Sequence, residues 1–122
     1  MHHRNLSGVA AIATAALLAL PAIAETIPRR IETRAAFLEL VRDRQLTRLG
    51  VSLEVRGDGE IKGRVLGREV RGIWEWRDGF FCRDFMGEDL LGYDCQTVEL
   101  RGDRLRFTAG DGSGETLDLR LR

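Results

Sequence analysis

The residues with the greatest chemical reach are gathered in one stretch, Cys82-Arg83-Asp84-Phe85-Met86-Gly87-Glu88-Asp89-Leu90-Leu91-Gly92-Tyr93-Asp94-Cys95. Its carboxylates raise acid–base chemistry, since a pair such as Asp84 and Asp94 can serve glycoside hydrolysis when both flank one cleft. Its cysteines raise redox chemistry, but that favours a Cys-x-x-Cys spacing near a βαβ pattern, which is absent here. Its apolar side chains raise recognition instead. Phe85, Met86, Leu90 and Leu91, framed by Glu88 and Asp89, have the make-up of a small interface with apolar anchors and a charged rim. The competing use of the same residues is structural, with Phe85, Leu90 and Leu91 folding back to close the end of the domain.

Elsewhere the catalytic inventory is thin. The two histidines are His2 and His3, and the only lysine is Lys62. Beyond residue 24 there is therefore no imidazole for a triad, a zinc site or a general base near pH 7. Arg56-Gly57-Asp58 and Arg101-Gly102-Asp103 spell an adhesion tripeptide, but both fall where turns are expected and where Gly and Asp are favoured for backbone reasons. The glycine-rich run Gly110 to Gly114 sits between two expected strands rather than between a strand and a helix, so it reads as a turn and not a phosphate cradle. Asp111 and Glu115 lack the order of ligands of a calcium loop. No metal or cofactor is expected. The 19 basic and 19 acidic side chains balance, and no basic stripe with interleaved aromatics points to nucleic acid.

The compartment is legible at the amino terminus. Residues 1–24 carry one charge, Arg4, then an Ala/Leu-rich core and Pro21-Ala22-Ile23-Ala24, the layout of a secretory signal peptide with cleavage before Glu25. Periplasmic or secreted location follows, with no stable membrane anchor after cleavage. In an oxidising compartment Cys82 and Cys95 are expected to join. Closing a loop of that size stabilises by roughly 3 kcal/mol in the chain-entropy account.

The elements that must position these residues are mostly strands. Residues 25–32 read as a charged lead, and 33–122 as a single domain. Thr33 can cap a helix running to about Arg44, with Ala36, Phe37, Leu40 and Val41 on one stripe. From Val51 the period becomes two. Strands are expected near 51–56, 60–66, 70–77, 80–85, 93–100, 104–108 and 116–121, with two-residue hairpin turns at Asp58-Gly59 and Asp78-Gly79 and a bend at Gly67-Arg68. The expected fold is mainly β, an antiparallel seven-strand meander forming a small barrel or strongly bent sheet, with the helix packed at an end. Its interior is expected to be filled by side chains such as Trp74, Trp76, Phe107 and Leu119 rather than to hold a deep cavity.

The segment Gly72-Ile73-Trp74-Glu75-Trp76-Arg77-Asp78-Gly79-Phe80-Phe81-Cys82-Arg83, followed by Tyr93-Asp94-Cys95-Gln96 and Gly102-Asp103, resembles a group of small exported bacterial proteins without an assigned activity. They share a G-x-W-x-W-x-D-G-x-x-C-R segment and a later Y-x-C-Q. Members often carry the label dihydrodipicolinate reductase by automatic transfer. This chain has neither the Gly-x-Gly-x-x-Gly between strand and helix nor the length for a cofactor domain plus a substrate domain. The resemblance thus implies export and no catalytic residue. The expected function is a non-catalytic periplasmic binding module, for a protein or a small ligand, using the disulfide-bounded loop; the alternative is a carboxylate-dependent enzyme.

Overall fold

Period-two alternation and tight turns produce an almost entirely antiparallel molecule. The structure, a computed structural model, describes residues 27–87 and 92–122, and before them positions 8, 10, 11, 14 and 15. The expected signal segment and the loop residues Glu88, Asp89, Leu90 and Leu91 therefore lie wholly or largely outside the described residues. In chain order the elements are β1 (Arg29–Ile31), α1 (Arg34–Val41), β2 (Leu46–Arg48), β3 (Val51–Val55), β4 (Glu60–Val65), β5 (Arg68–Arg77), β6 (Phe80–Met86), β7 (Asp94–Arg101), β8 (Arg104–Thr108), α2 (Ala109–Gly112) and β9 (Thr116–Leu121). Among the described residues no helix is long and apolar enough to cross a membrane.

Strands β7-β6-β5-β4-β3-β2-β9-β8 pair in that order, and β8 pairs back with β7, closing an eight-stranded barrel. The seven expected strands are all present, and two more correct the count. Strand β2 supplies the closure: Leu46 lies opposite both Leu53 of β3 and Leu121 of β9, and Gln45 and Arg122 exchange backbone hydrogen bonds at 2.9 Å. With three residues it is too short to display a period. Strand β1 falls inside the expected charged lead. It pairs with Val98 to Leu100 of β7, while β6 pairs with Asp94 to Gln96. Because β8 occupies the opposite edge of β7, β1 extends the line of β6 and covers backbone groups that the short β6–β7 ladder leaves open.

The turns depart from expectation in detail. Asp78 and Gly79 both have positive φ, as a primed two-residue turn requires. At Asp58-Gly59 only Gly59 does, and the loop is a three-residue one, closed by Arg56 N–H to the Glu60 carbonyl and Gly59 N–H to the Arg56 carbonyl. The bend expected at Gly67-Arg68 is made by Leu66 and Gly67. Residues 109–112 form a short helical turn broken by left-handed Gly110 and Asp111, within the glycine-rich run read as a turn.

Helix α1 starts as expected, with the Thr33 hydroxyl accepting the Ala36 N–H at 3.1 Å. It stops at Val41 rather than near Arg44, because Arg42 is extended in ψ and Asp43 is left-handed. Phe37, fully buried at 0 % exposure, carries the helix into the core. Its ring lies 5.4 Å from Trp74, 5.2 Å from Trp76, 5.1 Å from Phe81 and 6.4 Å from Phe107. The indole N–H groups find backbone acceptors outside the strands, Trp74 to Arg56 at 2.7 Å and Trp76 to Glu32 at 3.0 Å. Arg34 donates to the Gly57 carbonyl at 2.7 Å, which fixes α1 beside the β3–β4 turn.

On the outer face Arg106 and Asp118 are cross-strand partners joined at 2.7 and 2.9 Å. The hydrogen bond from Arg106 holds the Asp118 carboxyl below its ordinary 3.8, against the opposing effect of partial burial. A depressed folded-state value contributes stability above pH 3.8 that is lost as the pH falls through the folded value. The urea midpoint should therefore drop as the pH is lowered below that point, and Asp118→Asn should flatten the drop. An unchanged pH profile in the variant would remove this pair from the acid sensitivity.

Candidate functional site

Antiparallel pairing sorts the connections to two ends of the barrel. The β2–β3, β4–β5, β6–β7 and β8–β9 connections share one end, and the β3–β4, β5–β6 and β7–β8 turns share the other. Alternation on β6 sends Phe81, Arg83 and Phe85 inward and Cys82, Asp84 and Met86 outward. On β7 it sends Asp94, Gln96 and Val98 inward and Cys95 outward. Cys82 and Cys95 are register partners and are joined by a disulfide. The bridge lies on the outer face, with the Tyr93 hydroxyl 3.4 Å from Cys95 Sγ.

Asp84 and Asp94 consequently stand on opposite faces of the sheet. Asp94 is committed to structure: one oxygen accepts the Gly110 N–H at 3.2 Å, and the other lies 4.0 Å from Arg83. Asp84 sits opposite the exposed Ile73. The two carboxylates do not flank one cleft, so this pair does not form an acid–base site.

Of the expected interaction residues, Phe85 is half-buried and lines the barrel interior, whereas Met86 is exposed at 59 %. Within the described part of the loop, Phe85 takes the plugging role and Met86 the surface role. Glu88, Asp89, Leu90 and Leu91 are not among the described residues.

The site that sequence reasoning missed is inside the barrel. A cavity of about 380 Å³ is lined by the inward face of β2, β3, β4, β6, β7, β8 and β9, including Leu46, Leu53, Ile61, Phe81, Phe107 and Leu119. It reaches the end of the barrel where Phe85, Ala109, Glu115 and Thr116 lie. The expected filling of the interior holds, with Trp74, Phe107 and Leu119 buried in one core and Trp76 packed against it, and the cavity is a recess that opens at one end of that core. Two glycines on the inner face are set by the close approach of neighbouring strands. Gly63 and Gly72 contribute no side chain, and none would fit: a Cβ at Gly72 would stand 2.8 Å from the Asp84 carbonyl oxygen, and one at Gly63 would collide with the Ser52 carbonyl oxygen. At both positions the neighbouring strand already occupies the space a side chain would take.

Two of the polar side chains that line this cavity are buried, Arg83 at 6 % exposure and Gln96 at 8 %. Arg83 donates to the Gly92 carbonyl and lies over the Phe85 ring at 5.4 Å. Burial pulls the Arg83 guanidinium below its usual range, opposed by Asp94 and Asp84. Arginine and glutamine at inward positions of alternating strands are the sequence signal that could have found the site, since a buried charge needs a partner.

The fold and site together define a closed antiparallel barrel with a polar-tipped, otherwise apolar interior cavity. Comparison of the chain with protein-family models, curated proteins and solved structures gives no match.

Proposed function

We propose that this protein is a non-catalytic binding module of the periplasm that takes a small ligand into its barrel, with the disulfide-held β6–β7 connection at the cavity mouth. The observation that carries the reading is the cavity of about 380 Å³ faced by Arg83 and Gln96. Protein interiors are close-packed, and a purely structural barrel would be expected to fill that space. The volume falls in the range of ligand pockets, roughly 300–1,000 Å³. In this reading α1 stops the end of the barrel beside Gly57, and the ligand enters from the other. Export, the leader ending at Ala24 and the resemblance to small exported bacterial proteins belong to the same reading. The reductase label does not, because an antiparallel barrel offers no βαβ crossover for dinucleotide phosphates. A second reading, docking of a periplasmic protein on the β6–β7 connection, is favoured by the exposure of Met86.

N-phenyl-1-naphthylamine, a neutral apolar fluorophore, should bind with one site per chain and brighten. Leu117→Trp, which adds bulk to a cavity-lining and partly exposed position, should weaken that binding at least five-fold while leaving the unfolding midpoint within the range of a surface change, about 0.5 kcal/mol. Absence of saturable probe binding by the natural sequence would overturn the cavity reading.

A further inference from the structure

The interior cavity contains more recognition chemistry than a purely apolar ligand would use. Arg83 and Asp94 are cross-strand partners, as are Phe81 and Gln96. Arg83 and Gln96 are therefore diagonal neighbours on one inner face, within about 5–8 Å of each other. A guanidinium has five N–H donors. One nitrogen of Arg83 serves the Gly92 carbonyl, and its Nη2 is 4.0 Å from Asp94, beyond hydrogen-bonding reach. Among the described residues Nε and Nη2 of Arg83 have no acceptor, and neither does the Gln96 amide have a partner. No fully enclosed polar side-chain atom is orphaned among those residues, so the Gln96 amide opens on the cavity. Asp94 at 4.0 Å compensates the buried charge of Arg83, and what stays open on the guanidinium is its hydrogen-bonding capacity.

From this geometry we infer that the ligand is a single-chain amphiphile whose carboxylate is held by Arg83 and Gln96 and whose aliphatic tail lies among Leu53, Ile61, Phe107 and Leu119. The inference rests on the cavity reading above and names its ligand class. A carboxylate matches the planar fork of a guanidinium bidentately, and the Gln96 amide can donate to the same head. The charged residues lining the cavity are Arg48, Arg83 and Glu115. Glu115 and Asp94, the latter 4.0 Å from Arg83, offset the two arginines, so the choice of a carboxylate head rests on the open N–H donors of Arg83 and Gln96 rather than on net charge. At roughly 30 Å³ for each water-sized group, the volume accommodates about a dozen non-hydrogen atoms, the size of a chain of about ten carbons with its carboxylate.

Calorimetric titration of the natural protein at neutral pH with decanoate, 1-decanol and acetate tests this. Decanoate should bind one per chain and at least ten-fold more tightly than 1-decanol, and acetate should give no saturable binding at the same concentrations. Arg83→Met should remove the preference for decanoate. Should that variant fail to fold, Gln96→Leu serves: it should weaken decanoate several-fold and leave 1-decanol binding unchanged or tighter. Equal affinities for decanoate and 1-decanol would overturn the carboxylate assignment and leave the cavity reading standing. Acetate binding as tightly as decanoate would overturn the amphiphile. If neither chain compound binds and the naphthylamine probe also fails, the cavity reading falls, and this inference with it.

Discussion

Phe37→Ala should lower the stability of the protein by about 3–5 kcal/mol, the range for emptying a fully buried aromatic position. Phe37 is the hub of the aromatic core, with Trp74, Trp76, Phe81 and Phe107 all within 6.4 Å of its ring centroid. No neighbouring backbone can collapse easily into the vacated space, because the ring sits between a helix and a closed sheet. Domains of this size are stable by only about 5–15 kcal/mol in total, so the variant should be near the limit of folding at 37 °C. Urea unfolding followed by tryptophan emission reports the change directly, since both tryptophans touch the substituted ring. Phe37→Leu, which keeps most of the apolar volume, should recover a large part of the loss. An unchanged midpoint for Phe37→Ala would mean that α1 does not anchor the barrel.

Removal of the disulfide should have the next largest effect, about 3 kcal/mol for a bridge closing a loop of this length. The β6–β7 ladder has three register pairs, and Cys82–Cys95 is the middle one. The bridge thus clamps a short seam whose inner face carries Arg83 and Gln96. For a domain of roughly 100 residues the loss corresponds to a fall in melting temperature of about 12–24 °C. The Cys82→Ser, Cys95→Ser double variant, or the reduced natural protein, should show that fall and should also bind the cavity probe more weakly, because fraying of the seam displaces both polar groups. Unaltered melting in the double variant would rule out a structural role for the bridge.

The elements that carry strong local signals were readable without coordinates. Thr33 offers a side-chain oxygen to the first turn of a helix, and it does so. The seven longer strands alternate in hydrophobicity, and Asp78-Gly79 encodes its own turn. What could not be read was whatever depends on a partner remote in sequence. Leu46 to Arg48 contains one buried residue, and its strand character comes from β3 and β9 on either side. Ile31 looks like an isolated apolar residue in a charged lead until it is opposite Val98. At Asp58-Gly59 the composition suggested a two-residue turn, yet Arg56 and Glu60 pair one step further out, and the Asp58 carboxylate is used by the Glu60 N–H and by Arg56.

For the site the division is sharper. The chain by itself determined the bonded pair Cys82 and Cys95, the β architecture, and the shortage of groups for hydrolytic chemistry beyond residue 24. Residue type and spacing suffice for these, because they depend on local backbone preference and on which side chains exist at all. Only the tertiary structure decided that Asp84 and Asp94 face apart, that Phe85 turns inward while Met86 does not, and that Arg83 and Gln96 share an interior cavity. Those facts follow from register and closure: a shift of one residue in the β6–β7 pairing would send Arg83 to solvent, and a barrel left open at β2 would have no interior for it to face.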